Sequence, residues 1–123
     1  MIAVGSLLHI SDNSGALSAK CIKVIGTTNP LKKGKVGDII VVTLVKVKSA
    51  KKISAHQIKK ALLIGCRYPT VKSSGVHVSS PLNTIILLDD RLSPLGNRIN
   101  SYTLSNLRFK NYMKVVSLSF GVI

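Results

Sequence analysis

The chain has 123 residues, with 18 Lys and Arg against 4 Asp and Glu, a net charge of +14, yet 46% of it is hydrophobic. The length fits one domain over residues 1–123 with a core of its own, and the apolar content excludes a disordered basic tail. No stretch reaches the roughly 18 apolar residues of a membrane span, and no basic residue precedes Lys20, so neither the early positive charge of a secretory signal nor the Arg-rich opening of a transit peptide is seen; the expectation is that the protein works where it is made or that a presequence is missing from this chain.

The order along the chain is short β-branched runs separated by turn residues, which predicts strands. Residues 2–10 form the first, and Asp12-Asn13-Ser14-Gly15 is a turn, because Asp and Asn satisfy local backbone donors and Gly permits positive φ. Residues 20–25 form the second strand, followed by a basic loop over 29–35. Residues 39–48 form the strongest strand. Strict alternation puts Ile39, Val41, Thr43, Val45 and Val47 on one face and Ile40, Val42, Leu44, Lys46 and Lys48 on the other. The second face turns from apolar to charged, so the strand is expected to leave the core as a ribbon with its tip over 49–57. Residues 61–64 and 84–88 are further strands, with a loop or loose hairpin over 68–80 between them. Residues 93–97 are a turn, 102–108 one or two helical turns, and 112–118 an extended or mixed segment. Many short strands at this spacing imply a small closed barrel with appendages, of mainly β class.

The chemistry of catalysis finds little support. Asp89 and Asp90 are adjacent, so they fit a turn cap better than an acid–base pair. His9, His56 and His77 are scattered, without metal-ligand spacing. Lys35 is followed by Val36 where a phosphate-binding loop needs Ser or Thr. Cys21 and Cys66 have no CxxC partner, and read as buried small hydrophobes in a reducing compartment. No cofactor or metal is implied.

The charge excess is therefore the functional signal, and a polyanion is its natural complement. Lysines outnumber arginines 14 to 4, which favours phosphate contacts over base reading. Only five aromatics are present, Tyr68, Tyr102, Phe109, Tyr112 and Phe120, too few for the stacking platform of a single-strand binder or nucleic-acid chaperone, the alternative reading. Structured RNA recognised by shape and charge fits better.

Several motifs in order resemble the L-fourteen proteins of the large ribosomal subunit. They are Asp12-Asn13-Ser14-Gly15-Ala16, Cys21-Ile22-Lys23-Val24-Ile25-Gly26 and Val36-Gly37-Asp38-Ile39-Ile40. Next come Lys60-Ala61-Leu62-Leu63-Ile64, which continues through Ser74-Gly75 to Asn83 and Ile85-Ile86-Leu87, then Pro94, Gly96, Arg98 and Ile99. Met113-Lys114-Val115-Val116-Ser117-Leu118 closes the series. The resemblance implies a closed five-stranded β-barrel with a projecting β-ribbon and short C-terminal helices. It also implies binding to large-subunit ribosomal RNA and a place on the subunit interface. There the family neighbours protein L-nineteen and touches small-subunit ribosomal RNA in an intersubunit bridge. A ribosome-silencing factor docks on the family's C-terminal face, where Arg98 and Lys114 match and Asn97 stands in place of the usual Thr.

On this reading Lys20, Lys23, Lys32, Lys33 and Lys35 meet phosphate around the barrel, and Lys46, Lys48, Lys51 and Lys52 along the ribbon. Lys59, Lys60, Arg67 and Arg98 are further RNA candidates, while Asn97, Arg98 and Lys114 are the partner-binding set. The chain departs from the family where Cys66-Arg67-Tyr68-Pro69 keeps one basic residue of a run, and where Ser79-Ser80-Pro81 replaces Arg-Phe-Asp. Near the C-terminus, Asn106 replaces an acidic residue and Phe120-Gly121 replaces Pro-Glu. This drift, with the Lys- and Ser-rich composition, points to a mitochondrial ribosome, with bacterial cytoplasm or plastid as alternatives. Without a transit signal, synthesis inside the organelle is the expectation.

Overall fold

The computed structural model describes residues 2–26, 33–48, 53–109 and 112–123. Five strands close a barrel: β1 (Leu7–Ile10), β2 (Ala16–Val24), β3 (Ile39–Val47), β4 (Ile58–Gly65) and, after a small hairpin of β5 (Thr70–Val71) and β6 (His77–Val78), β7 (Thr84–Leu88). Neighbours pair antiparallel from β1 through β4 to β7. The ring shuts where β7 lies parallel to β1, with His9 opposite Thr84 and Ile10 opposite Ile85. The mainly β class and the closed barrel are as the strand pattern predicts, and the five strands are as the family resemblance implies.

The barrel is narrow enough for side chains to fill it. Leu8, Ala19, Ile40, Val42, Leu44, Ala61, Leu63, Ile85 and Leu87 are buried in this interior. β4 and β7 differ from the other strands because they are apolar on both faces. Leu62, Ile64, Ile86 and Leu88 point out of the barrel into a second core with Ile99, Leu107, Val115 and Val116. The chain after β7 supplies that cover: β8 (Tyr102–Thr103), α1 (Asn106–Phe109), α2 (Met113–Leu118) and β9 (Gly121–Val122), with β8 and β9 paired in parallel. Residues 113–118 are thus helical where an extended or mixed segment is expected, and only the later part of 102–108 forms a helix. The helix over 113–118 packs Val115 and Val116 onto the barrel wall, and that tertiary contact outweighs the weak helix propensity of adjacent valines.

The ends of several strands also differ from the alternation pattern. β1 is shorter than 2–10; Ile2 instead bridges Gly34, its N–H donating to Gly34 C=O at 2.8 Å and its C=O accepting from Gly34 N–H at 2.7 Å. β3 and β4 pair only as far as Thr43 and Ile58. Beyond that point β3 continues against β2, with Lys46 opposite Ser18 and Val47 opposite Ala16. The ribbon expected of residues 46–57 thus has its counterpart in this β2–β3 extension, and Ile53 returns to the main core. The tip at 49–52 lies outside the described residues.

Gly37 supports the start of β3. Its φ of 91° suits glycine, and its N–H donates to Leu63 C=O at 2.8 Å. Leu63 is fully buried at the centre of the interior. Leu63→Ala is expected to destabilise the fold by about 3 kcal/mol through a cavity. Leu7→Ser, on the exposed outer surface, should change stability by no more than about 0.5 kcal/mol. Urea-unfolding midpoints of the two variants check both.

Candidate nucleic-acid interface

The four strands β1 to β4 contain no Asp or Glu. Their lysines therefore face outward with no carboxylate on their own strands. Lys20, Lys23, Lys46 and Lys60 are exposed on the barrel's side. Lys20 stands in a cross-strand row with Leu7 and Thr43, and Lys60 sits opposite Val41. Lys59 is half-buried at the entry to β4, beside Asp89 and Asp90 in a shallow groove.

At one end of the barrel the start of β3 and the end of β4 lie together, since the two strands run antiparallel. Exposed Lys33 and Lys35 precede β3 and exposed Arg67 follows β4. A groove there joins Lys35 to Cys66, Tyr68 and Thr70. The Lys35 N–H donates to the Asp38 carboxylate at 2.8 Å, and the Arg67 N–H donates to the Asn83 side-chain oxygen at 2.9 Å. These bonds fix the backbone, so the charged tips project from anchored loops. Lys72, on the β5–β6 turn, is a further basic residue of this region that the sequence reading passed over; its N–H donates to Val76 C=O at 2.9 Å. Lys48 lies at the opposite end, its N–H donating to Gly15 C=O at 2.7 Å. Lys32, Lys51 and Lys52 lie outside the described residues.

Asn97 and Arg98, two of the three residues expected to bind a partner, are held by contacts far apart in sequence. The Asn13 side-chain oxygen accepts from the N–H of Asn97 at 2.8 Å and of Arg98 at 3.2 Å. Asp12 beside it is 8% exposed and accepts from the buried Leu87 N–H at 3.0 Å, from Ser14 N–H at 3.2 Å and from Ser14 O–H at 2.5 Å. A Cβ on Gly96 would come within 2.7 Å of the Asn13 oxygen, so only glycine lets the loop approach this closely. The Ile99 N–H then donates to Leu118 C=O at 3.2 Å, which holds the Arg98 loop against the end of α2. Lys114 is exposed one helical turn earlier. The sequence marks Asp12-Asn13 as a local turn, and nothing in it announces the long-range role of the two side chains.

Other reactive groups are quiet. Cys21 and Cys66 are buried thiols outside any disulfide. Burial pushes the Cys21 thiol up, against a smaller opposing effect of a backbone hydrogen bond at Lys23. Burial also raises the Tyr112 phenol, with the charge of Asp38 adding to it. A cleft of about 450 Å³ between the β5–β6 side and the C-terminal segment is lined by Ile10, Ile64, Leu82 and Leu104 among others, and holds no Asp, Glu, Lys or Arg. Among the described residues no three His, Cys, Asp or Glu gather as metal ligands, and no helix is long and apolar enough to cross a membrane.

Fold and surface together define a small basic β-barrel whose exposed chemistry is cationic. The family model of ribosomal protein L14p/L23e matches residues 1–123, and the chain belongs to that family. Its members are structural proteins of the large ribosomal subunit rather than enzymes.

The Asn13 clasp makes a direct prediction. Asn13→Ala should speed amide hydrogen exchange at Asn97 and Arg98 by about five- to tenfold, the equivalent of about 1 kcal/mol of lost hydrogen bonding. Exchange at Leu87, held by Asp12, should change little. The comparison is read by NMR or mass spectrometry.

Proposed function

We propose that this chain, acting as one domain over residues 1–123, binds large-subunit ribosomal RNA and lies at the subunit interface. There it contributes to a bridge with small-subunit ribosomal RNA beside an L-nineteen homologue. The observation that carries the RNA reading is the charge: a net +14 on a folded barrel, with exposed Lys33, Lys35 and Arg67 together at one end. Such a surface repels itself until phosphates neutralise it. Lys33, Lys35 and Arg67, gathered on anchored loops at one barrel end, are the phosphate-binding group best supported by geometry. Lys48 and Lys59 are further candidates.

The loop of Asn97 and Arg98, held against the end of α2 near Lys114, is the docking surface for a protein partner, a silencing factor among the family's candidates. The mitochondrial ribosome is the proposed setting, supported by the departures at 66–69 and 79–81 and by the Lys- and Ser-rich composition.

If about six basic side chains meet phosphate, affinity for a large-subunit ribosomal RNA fragment falls with salt at a log–log slope of about −4 to −5. The triple variant Lys33→Ala, Lys35→Ala and Arg67→Ala should make that slope shallower by about 2 to 3. A slope unchanged by the three substitutions would remove this barrel end from the RNA interface. Filter binding or fluorescence anisotropy across a salt series gives the measurement.

A further inference from the structure

The barrel has two outer sides, and the described residues cover one of them. The β4–β7 side lies under the C-terminal segment. The β1–β2–β3 side has no such cover among the described residues, yet it is studded with large aliphatic side chains. Leu7 is 66% exposed and Ile58 65%. They stand at the two ends of one cross-strand row, Leu7–Lys20–Thr43–Ile58, that spans four strands.

Three more aliphatics arrive by a specific device. The β2–β3 ladder breaks register three times, between Ala16 and Ser18, between Ser18 and Ala19, and between Cys21 and Lys23. The extra residue at each break is Leu17, Val45 and Ile22 in turn, and all three are between 40% and 47% exposed. Bulges re-aim side chains, and here each of them places an aliphatic group outside the barrel. Lys20, Lys23, Lys46 and Lys60 are interleaved with these five residues.

We infer that this side of the barrel is a docking face for an extended or helical segment of a neighbouring protein that carries aliphatic anchors flanked by Asp or Glu. The inference rests on the chain being a large-subunit protein, and it reassigns these four lysines from RNA to a protein. Two arguments favour that occupant. RNA presents hydrated phosphates and sugars, which match lysines but leave exposed Leu and Ile without apolar partners, whereas a clustered apolar patch with a charged rim is the signature of a protein contact. Charge complementarity supplies the rest: no carboxylate stands on β1 to β4, and Asp89 and Asp90 line the groove of Ile58, Lys59 and Lys60 at one edge, so Lys20, Lys23 and Lys46 are left for acidic groups of the partner. Size sets the form of the partner. Four strands, of which β2 and β3 have nine residues, give a face of at most roughly 14 by 30 Å, about 400 Å², which is about half of one side of a standard protein interface and suits a single segment.

The test places a photoreactive benzophenone side chain at position 7 or 58, where exposure lets the fold tolerate it, in chains assembled into ribosomes. Large subunits are isolated by sedimentation, irradiated, and digested with ribonuclease or protease. The expected product is a protein adduct that survives ribonuclease, whose crosslinked peptide carries Asp or Glu within a few residues of an aliphatic anchor. Lys20→Glu with Lys60→Glu should cut its yield about tenfold. A ribonuclease-sensitive adduct would show that RNA covers the face and overturn the inference. So would a peptide without carboxylates, a yield indifferent to charge reversal, or no adduct at all. A chain that fails to sediment with large subunits before irradiation overturns the ribosomal reading as well, and the sedimentation step separates that result from the others.

Discussion

The structure depends on a wall that is apolar on both sides. β4 and β7 bury Ala61, Leu63, Ile85 and Leu87 inside the barrel and Leu62, Ile64, Ile86 and Leu88 outside it. A sheet with two apolar faces must be covered twice. The strands β1 to β3 provide the inner cover by closing the ring, and the C-terminal segment provides the outer one. The position of α2, and hence of the Arg98 loop bonded to its end, follows from that requirement. So does the asymmetry of the surface: one side of the barrel is covered by the C-terminal segment, and the other has no such cover among the described residues.

The same requirement explains what could be read from the sequence. The runs Ala61-Leu62-Leu63-Ile64 and Ile85-Ile86-Leu87-Leu88 are apolar without alternation, which marks a strand but does not name what covers its outer face. Where alternation holds, in Ile39 to Leu44, strand and buried face are both legible, and Ile40, Val42 and Leu44 are fully buried. The pattern misassigns Lys46, which alternation groups with Ile40 and Val42. One bulged residue, Val45, resets the register and sends the lysine outward. A single inserted residue has no signature in composition or periodicity. β8 and β9 were equally hidden, since two-residue strands pair across a 17-residue gap through contacts that only the folded C-terminal segment creates.

The functional surface divides in a similar way. The charge excess is visible in the composition alone, and the motifs carry the family across the whole chain. Which cations act together is a matter of topology: Lys33, Lys35 and Arg67 meet because β3 begins where β4 ends. Asn13 and Arg98 meet across 85 positions through one side-chain oxygen. The lysines on the barrel's side acquire a different meaning from those at its end, because bulges and strand register set them among exposed aliphatics. A charge count treats both groups alike, whereas the folded surface separates a cationic end from an amphipathic side.

The central claim is that this barrel is an integral part of a large ribosomal subunit. The most direct measurement is quantitative mass spectrometry of this chain across a high-salt sucrose gradient of a mitochondrial lysate. The account predicts one copy per large subunit, retained in salt because buried protein and RNA contacts are screened far less than loose surface charge. Release of the chain into the soluble top fractions would contradict it.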